Sequence, residues 1–169
     1  MLTVLIETIN DEEGLARTLA SLVSGAVEGM IREVIVCDTG SKDQTRRVAE
    51  QAGCHVEVGI SIFSCVARSK GDWLLILEPG ARLIEGWVDE VVQHVAKSEM
   101  PARFSRSRRE RAGFLTRVLS PVRPLAQGLL ISKKSASTLA SSASRMDAIG
   151  RGLATRLLAA EIIPARLRN

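Results

Sequence analysis

Hydrophobic and polar residues follow two different periods along the first hundred positions. Short apolar runs are typical of buried strands, whereas apolar residues three and four positions apart are typical of helices. The runs lie at 2–6, 33–37, 55–58 and 73–77, and helical spacing occurs at 11–24, 45–52 and 85–97, with a short helix expected within 59–70. This alternation predicts an α/β fold with an open, mainly parallel, doubly wound sheet.

Residues with turn and capping preferences mark the predicted ends of these elements. Asn10 or Asp11 can cap the first helix, whose acidic first turn suits the positive end of the helix dipole. Gly25 or Gly29 is expected to end that helix. The run at 73–77 is almost continuously apolar, which is typical of a parallel strand covered on both faces.

The pattern changes after residue 97. Residues 101–123 contain seven arginines and one acid and are interrupted by glycine and proline, so we expect a basic excursion there and not a packed element. Residues 127–132 could form one more strand. Ile149, Leu153, Leu157 and Leu158 are expected along one face of a helix, and 161–164 as a short edge segment.

Length and composition fit one domain with its own core. The chain has 169 residues, of which 46% are hydrophobic, and its apolar runs are too short for a membrane-spanning helix. The first residues lack the basic region of a signal peptide, so we expect a cytoplasmic protein. Three widely spaced cysteines argue against a disulfide framework and against structural zinc.

Charge is distributed unevenly between the two parts of the chain. Residues 1–100 carry 9 Lys/Arg and 16 Asp/Glu, a net charge of −7, whereas residues 101–169 carry 14 and 3, a net charge of +11. Such asymmetry raises a functional question but does not by itself name a partner. Nucleic acid is disfavoured because aromatic residues make up 3% of the chain and tyrosine is absent, which leaves few stacking platforms.

Polar side chains follow the predicted strands where a ligand would bind. In open α/β sheets ligands lie beyond the carboxyl ends of the strands, and Thr8 and Asp38 stand there. A carboxylate at this edge can accept hydrogen bonds from a base or a ribose. Alternatively, Asp38 and Ser41 only stabilise a turn. The chain lacks the glycine patterns of dinucleotide and P-loop sites and the serine elbow of hydrolases.

Three segments resemble the opening of a family 2 glycosyltransferase. They are IETINDE at 6–12, VCDTGSKDQT at 36–45 and GDWLLIL at 71–77. In that family the first strand ends in Pro-Thr-x-Asn-Glu, the second in Asp-x-Gly-Ser-x-Asp-x-Thr, and Gly-Asp-Trp leads into an Asp-x-Asp metal motif. The resemblance implies a GT-A, Rossmann-like nucleotide-diphospho-sugar fold. It covers residues 1–97, and the acceptor side after it is abbreviated.

The resemblance also implies site residues and a division of the single domain at 1–169. The nucleotide-binding half would be 1–97, followed by the basic segment 98–123 and an acceptor-side half at 124–169. Thr8 and Asp38 would contact the nucleotide, while Asn10 and Glu12 would shape the first loop. Asp147 would be the general base that takes a proton from the acceptor hydroxyl.

Several positions depart from the family pattern. Glu7 replaces the proline, and Glu78-Pro79-Gly80 replaces Asp-x-Asp. Glu78 could remain as one oxygen ligand of Mg²⁺ or Mn²⁺, but Gly80 has no side chain to contribute. A cation from the basic segment could compensate by pairing with phosphates. The candidates are Arg103, Arg106, Arg108, Arg109 and Arg111.

These observations leave three functional hypotheses. The chain could transfer a sugar from a UDP- or GDP-type donor to an acceptor hydroxyl. It could be a catalytically degenerate relative that acts as a binding or assembly partner. It could also dock on an anionic membrane through Arg106, Arg108 and Arg109, with Phe104 and the apolar residues at 114–119 lying among the arginines. The oligomeric state is not predicted.

Overall fold

The computed structural model describes residues 1–107, 123–143 and 145–166. The strands in these ranges are β1 (Leu2–Thr8), β2 (Ile31–Asp38), β3 (His55–Val58), β4 (Trp73–Leu77), β5 (Arg82–Leu83), β6 (Ala102–Arg106), β7 (Leu129–Ser132) and β8 (Arg156–Ile163). The helices are α1 (Glu12–Ser21), α2 (Val23–Val27), α3 (Thr45–Gln51), α4 (Ile62–Arg68), α5 (Trp87–Lys97), α6 (Lys133–Ala140) and α7 (Met146–Ile149).

The described strands form one mixed sheet in the order β3-β2-β1-β4-β7-β6-β8-β5. Strands β3, β2, β1 and β4 are parallel neighbours. Strand β7 is antiparallel to both β4 and β6, β6 is parallel to β8, and β8 is antiparallel to β5. The predicted α/β class is therefore confirmed. The chain order reverses between β1 and β4, and this switch point is where a ligand cleft is expected.

Two cores lie on opposite faces of the sheet. Alternate residues of a strand point to opposite faces, so Val4 and Ile6 of β1 pack on one side with Leu15 of α1 and Trp87 of α5. Leu5 packs on the other side with residues of α4, α6 and α7. Because both faces are covered, β1 and β4 consist of nearly continuous apolar residues.

The first helical segment is divided into two helices. Asp11 caps α1 by accepting a hydrogen bond from the Gly14 N–H at 3.0 Å, as predicted. Helix α1 ends at Ser21, and α2 follows Leu22 and ends at Val27. Gly25 lies inside α2 and does not end a helix. A Cβ at Gly25 would stand 2.5 Å from the Trp87 ring, so glycine is needed there for close packing.

Residues 102–106 are packed, which corrects the expectation of an unpacked basic excursion at 101–123. They form β6, and Ala102 and Phe104 are fully buried. Phe104 therefore belongs to the core and is not exposed to a membrane. Alternation of apolar with polar residues over these five positions is the strand signal that the arginine count obscured. Residues 108–122 lie outside the described residues.

The helix predicted across Ile149, Leu153, Leu157 and Leu158 is wrong. Helix α7 ends at Ile149, and residues 156–163 form β8. Gly150 follows α7 and Gly152 has a φ of 69°, which breaks the helix. Leu157 is exposed whereas Leu158 is buried, as a strand requires. Residues 161–163 are not at an edge either, since β8 lies between β6 and β5.

No helix among the described residues is long and apolar enough to cross a membrane.

Candidate nucleotide-sugar site at the sheet switch point

Thr8 and Asp38 lie directly opposite each other at the carboxyl ends of β1 and β2, which are parallel. The backbone extends this pairing by one residue, because the Thr39 N–H donates to the Thr8 carbonyl at 3.0 Å. On the other side of β1, Ile6 pairs with Leu77, so Glu78 follows β4 at the same edge. The predicted juxtaposition of Thr8 and Asp38 is therefore confirmed.

The Asp38 carboxylate is 1% exposed and is engaged by its own loop. It accepts hydrogen bonds from the Ser41 N–H at 3.1 and 3.2 Å, from the Gly40 N–H at 3.3 Å and from Arg46 Nε at 2.7 Å. Burial raises the pKa of Asp38, but the hydrogen bonds from Ser41 and Arg46 outweigh burial and hold the pKa below its usual value. In this structure Asp38 stabilises the turn after β2. Its contact with a nucleotide stays a prediction.

Asn10 and Glu12 connect the loop after β1 to the loop after β2. Asn10 Oδ1 accepts a hydrogen bond from the Lys42 N–H at 2.7 Å, and Glu12 Oε2 accepts one from the Gln44 N–H at 2.9 Å. Asn10 has a positive φ of 47°, a conformation that asparagine tolerates better than most residues. Both residues line an open cleft of about 510 Å³ that also includes Gly80.

A second cleft, of about 300 Å³, lies at the ends of β1 and β4. It brings together Thr8, Glu78 and Asp147, three residues that are far apart in the sequence. The Thr8 hydroxyl is buried and has no hydrogen-bond partner among the described residues. Unpaired buried hydroxyls are rare in proteins, so Thr8 offers a ligand a donor and an acceptor.

Glu78 is paired with an arginine that the sequence analysis did not single out. Arg123 Nη1 lies 2.9 Å from Glu78 Oε2, although its N–H bond is not aimed at that oxygen, and Arg123 Nη2 donates to the Ala165 carbonyl at 2.6 Å. Burial, as the largest cause, raises the pKa of Glu78, and the charge of Asp147 raises it further. Arg123 and Arg106 oppose this shift without cancelling it.

Glu7 and Asp147 are joined through the start of α7. Glu7 Oε2 accepts a hydrogen bond from the Met146 N–H at 2.9 Å, and its other oxygen lies 3.9 Å from Arg145 Nε. Asp147 pairs with Arg151 at 2.7 Å, while its Oδ1 lies 4.0 Å from Arg145 Nε. Glu7, the residue in the family proline position, therefore holds the segment that carries the predicted base.

Comparison with known proteins identifies the chain's family. The model of the family described as "Glycosyl transferase family 2" matches residues 3–100, more than half of the chain. The chain belongs to glycosyltransferase family 2. A TPR repeat-containing protein of Synechococcus elongatus is 34% identical over 90 residues, which cover 48% of this chain and 21% of that protein.

Solved structures of one synthase share the fold. The glucosyl-3-phosphoglycerate synthase of Mycobacterium tuberculosis, in complex with Mn²⁺, UDP-glucose and phosphoglyceric acid, has a TM-score of 0.61 and 19% identity. That match covers 82% of this chain and 59% of the synthase. The same synthase with Mg²⁺ and UDP has a TM-score of 0.59 and 21% identity, with 82% and 58% covered. The GT-A fold is thus confirmed. The chain spans about three fifths of the synthase.

The residues of this family 2 chain do not fit the divalent cation that those structures contain. Within the described residues, no group of three or more His, Cys, Asp and Glu side chains could hold a metal ion. Glu78 faces the guanidinium of Arg123 at 2.9 Å, and Gly80 supplies no ligand. The positive charge of Arg123 beside Glu78 disfavours a divalent cation at the same carboxylate, because the two cations repel each other.

The predicted arginines are only partly at the site of this family 2 chain. Arg106 is exposed and close enough to affect the Glu78 carboxyl, whereas Arg103 Nη2 donates to the Gly150 carbonyl at 2.6 Å. Arg108, Arg109 and Arg111 lie outside the described residues. The sequence analysis missed Arg123 and Arg145. Arg145 could have been found because it directly precedes Met146-Asp147, but nothing local marks Arg123.

Proposed function

We propose that the cleft at the ends of β1 and β4 binds a nucleotide-diphospho-sugar and that the chain transfers its sugar to an acceptor hydroxyl. The observation that carries this proposal is the convergence of Thr8, Glu78 and Asp147 at the switch point of a family 2 domain. Ligand sites in open α/β sheets lie at this position.

Asp147 is the group we propose as the general base. Its carboxylate lines the cleft and is partly exposed, so an acceptor hydroxyl can reach it. As that hydroxyl oxygen attacks the anomeric carbon, the carboxylate takes the hydroxyl proton, and the bond to the nucleoside diphosphate breaks. Arg151, at 2.7 Å, orients the carboxylate before the reaction.

The nucleotide would lie along the carboxyl ends of β1 and β2. In this proposal the unpaired Thr8 hydroxyl hydrogen-bonds to the donor, and Asn10 and Glu12 hold the first loop in place. Asp38 contacts a ribose or base only if one of its present partners is displaced. A UDP-type donor is favoured over a GDP-type donor because the structurally similar synthase binds UDP and UDP-glucose.

Binding and turnover of UDP-glucose test this proposal. Calorimetry with UDP should show saturable binding to the full chain. Asp147→Asn should retain that affinity but lower the release of UDP from UDP-glucose by about 100-fold or more, since a positioned base contributes about that factor. The matched control is Arg68→Ala, which removes the arginine at the end of α4 from its ion pair with Glu57. Unchanged turnover in Asp147→Asn would exclude that residue as the base.

A catalytically degenerate relative is the second candidate. It is favoured by the Asp38 carboxylate, whose oxygens are already bonded within its own loop, and by the Arg123 contact on Glu78. This candidate predicts that the chain binds no nucleotide, or binds UDP without releasing it from UDP-glucose.

Docking on an anionic membrane stays a separate prediction about the basic segment. Of the three arginines that this prediction names, Arg106 lies within the described residues and is exposed, whereas Arg108 and Arg109 lie outside them. Retention on phosphatidylserine vesicles at low salt, lost in the triple alanine variant of Arg106, Arg108 and Arg109, is the expected result. Equal retention by the variant contradicts docking through this segment.

A further inference from the structure

We infer that the Arg123 guanidinium takes the role of a divalent cation at Glu78, so that a nucleoside diphosphate binds this cleft without a metal ion. The inference rests on the proposed function, because it concerns how the same cleft neutralises its ligand. It assigns a diphosphate-binding role to Arg123, and to Arg145 as its partner.

Arg123 lies at the position where the charge is needed, anchored by one hydrogen bond and one ionic contact. One end of its guanidinium lies 2.9 Å from Glu78 Oε2, and the other donates to the Ala165 carbonyl at 2.6 Å. The side chain is 26% exposed and lines the cleft. Because its N–H groups on the Glu78 side are not aimed at that carboxylate, they remain available to an anion, and the planar fork of a guanidinium matches a phosphate.

The loop after β4 is built in a way that excludes a second carboxylate. Gly80 has a φ of 93°, a conformation that residues with a Cβ rarely adopt. Its N–H donates to the Gly14 carbonyl at 2.9 Å and to Thr18 Oγ1 at 2.8 Å. A Cβ at Gly80 would stand 3.3 Å from the Cβ of Ala165, the residue whose carbonyl holds Arg123. The conformation at Gly80 thus disfavours a metal-binding side chain at that position, and the adjacent Ala165 accepts the hydrogen bond from Arg123.

The carboxylates of the cleft are paired, which limits their repulsion of an anion. Glu7 accepts from the Met146 N–H, Glu78 faces Arg123, and Asp147 pairs with Arg151. Arg145 is different. It is 73% exposed and lies 3.9 and 4.0 Å from its two acidic neighbours, distances too long for hydrogen bonds. A diphosphate can therefore recruit Arg145 with little loss of existing contacts.

Calorimetry with UDP on the full chain tests the inference directly. We expect UDP to bind in EDTA, with an affinity that changes by less than about threefold when Mn²⁺ replaces the chelator. Arg123→Ala should weaken binding in EDTA by about 10-fold to 100-fold, the effect of losing one charged hydrogen bond. Arg123→Lys keeps the positive charge but not the planar guanidinium. Its affinity for UDP should lie between those of the unchanged chain and Arg123→Ala.

Two controls separate loss of binding from loss of structure. Arg68→Ala removes an arginine from an ion pair of 3.0 Å away from the cleft and should bind UDP as the unchanged chain does. Circular dichroism and thermal melting show whether each variant is folded. If Arg123→Ala is not folded, Arg145→Ala supplies a second test of the inference. Arg145→Ala should weaken binding in EDTA by at least a few fold.

The possible outcomes distinguish the two proposals. Binding of UDP only with Mn²⁺ overturns the inference and leaves the proposed function intact. Absence of UDP and GDP binding under both conditions overturns both. Metal-independent binding that is unchanged in the folded Arg123 and Arg145 variants supports the proposed function and overturns the role assigned to the arginines.

Discussion

The Glu7 carboxylate accepts a hydrogen bond from the Met146 backbone N–H at 2.9 Å, across 139 positions of sequence. It joins the carboxyl end of β1 to the first residue of α7. The contact is charge-assisted, and it satisfies one of the N–H groups that a helix leaves unpaired at its start. Glu7 thereby places the neighbouring Asp147 in the cleft.

Replacing Glu7 should loosen the attachment of α7. Glu7→Ala leaves the Met146 N–H without its partner, and we expect it to lower the free energy of unfolding by about 1–2 kcal/mol. Urea denaturation measures this change. Glu7→Gln retains an acceptor oxygen and should cost less than half as much. Equal losses in the two variants would indicate that the charge, and not the hydrogen bond, holds α7.

Asp38 should make stability depend on pH in the acid range. Its pKa is below the usual value in the folded chain, so the carboxylate stabilises the fold above the unfolded pKa of about 3.9. That contribution is lost as the pH falls from about 4 through the lower folded value. Asp38→Asn should lose stability at pH 7 and show a flatter profile below pH 4, measured by urea denaturation between pH 2 and 7. A profile identical to that of the unchanged chain would contradict this role.

Glu78 should oppose nucleotide binding while it is ionised. Burial raises its pKa, and its charge holds Arg123. We expect Glu78→Gln to bind UDP more tightly at pH 7.5, by about threefold to tenfold, because Arg123 then meets the phosphates without a competitor. The advantage should shrink as the pH falls and Glu78 of the unchanged chain is protonated. The protonation of UDP itself changes equally in the measurements on the unchanged chain and on Glu78→Gln. The difference between their calorimetric affinities from pH 5 to 8 therefore reports the protonation of Glu78.

Phe104 should affect stability and not membrane binding. It is fully buried between β7 and β8, and truncation to alanine leaves a cavity in the core. We expect Phe104→Ala to lower the free energy of unfolding by about 3–5 kcal/mol. Leu157→Ala, at an exposed position of the neighbouring strand β8, is the matched control and should cost far less. A loss below about 1 kcal/mol would contradict the burial of this side chain.

The fold of the first hundred residues was predictable because its signals are local. The strands at 2–6, 33–37, 55–58 and 73–77 are apolar runs that each have a helix or a turn on either side. Strands joined by helices are parallel neighbours, so their carboxyl ends meet. That rule alone placed Thr8 beside Asp38, as the register of β1 and β2 confirms.

In the second half the strand expected within 127–132 is present as β7, but β6 and β8 were not predicted because their pairing depends on distant partners. Residues 102–106 carry two arginines, and they form a strand only because β7 and β8 lie on either side. The leucines of residues 156–163 also fit a helical pattern. Pairing with β6 makes this segment a strand, in which successive side chains point to opposite faces of the sheet. Neither propensity nor charge reveals such pairings.

The sequence by itself determined the α/β class and the edge of the sheet where Thr8 and Asp38 meet, since these follow from apolar periodicity and the handedness of strand connections. Its three motifs carried the resemblance to family 2. Only the tertiary structure decided how charge is balanced in the cleft. Arg123 reaches Glu78 from 45 positions away, and Glu7 reaches Met146 from 139. Charged side chains pair with the groups that the fold brings near them, and the spacing of residues in the sequence does not predict which groups those are.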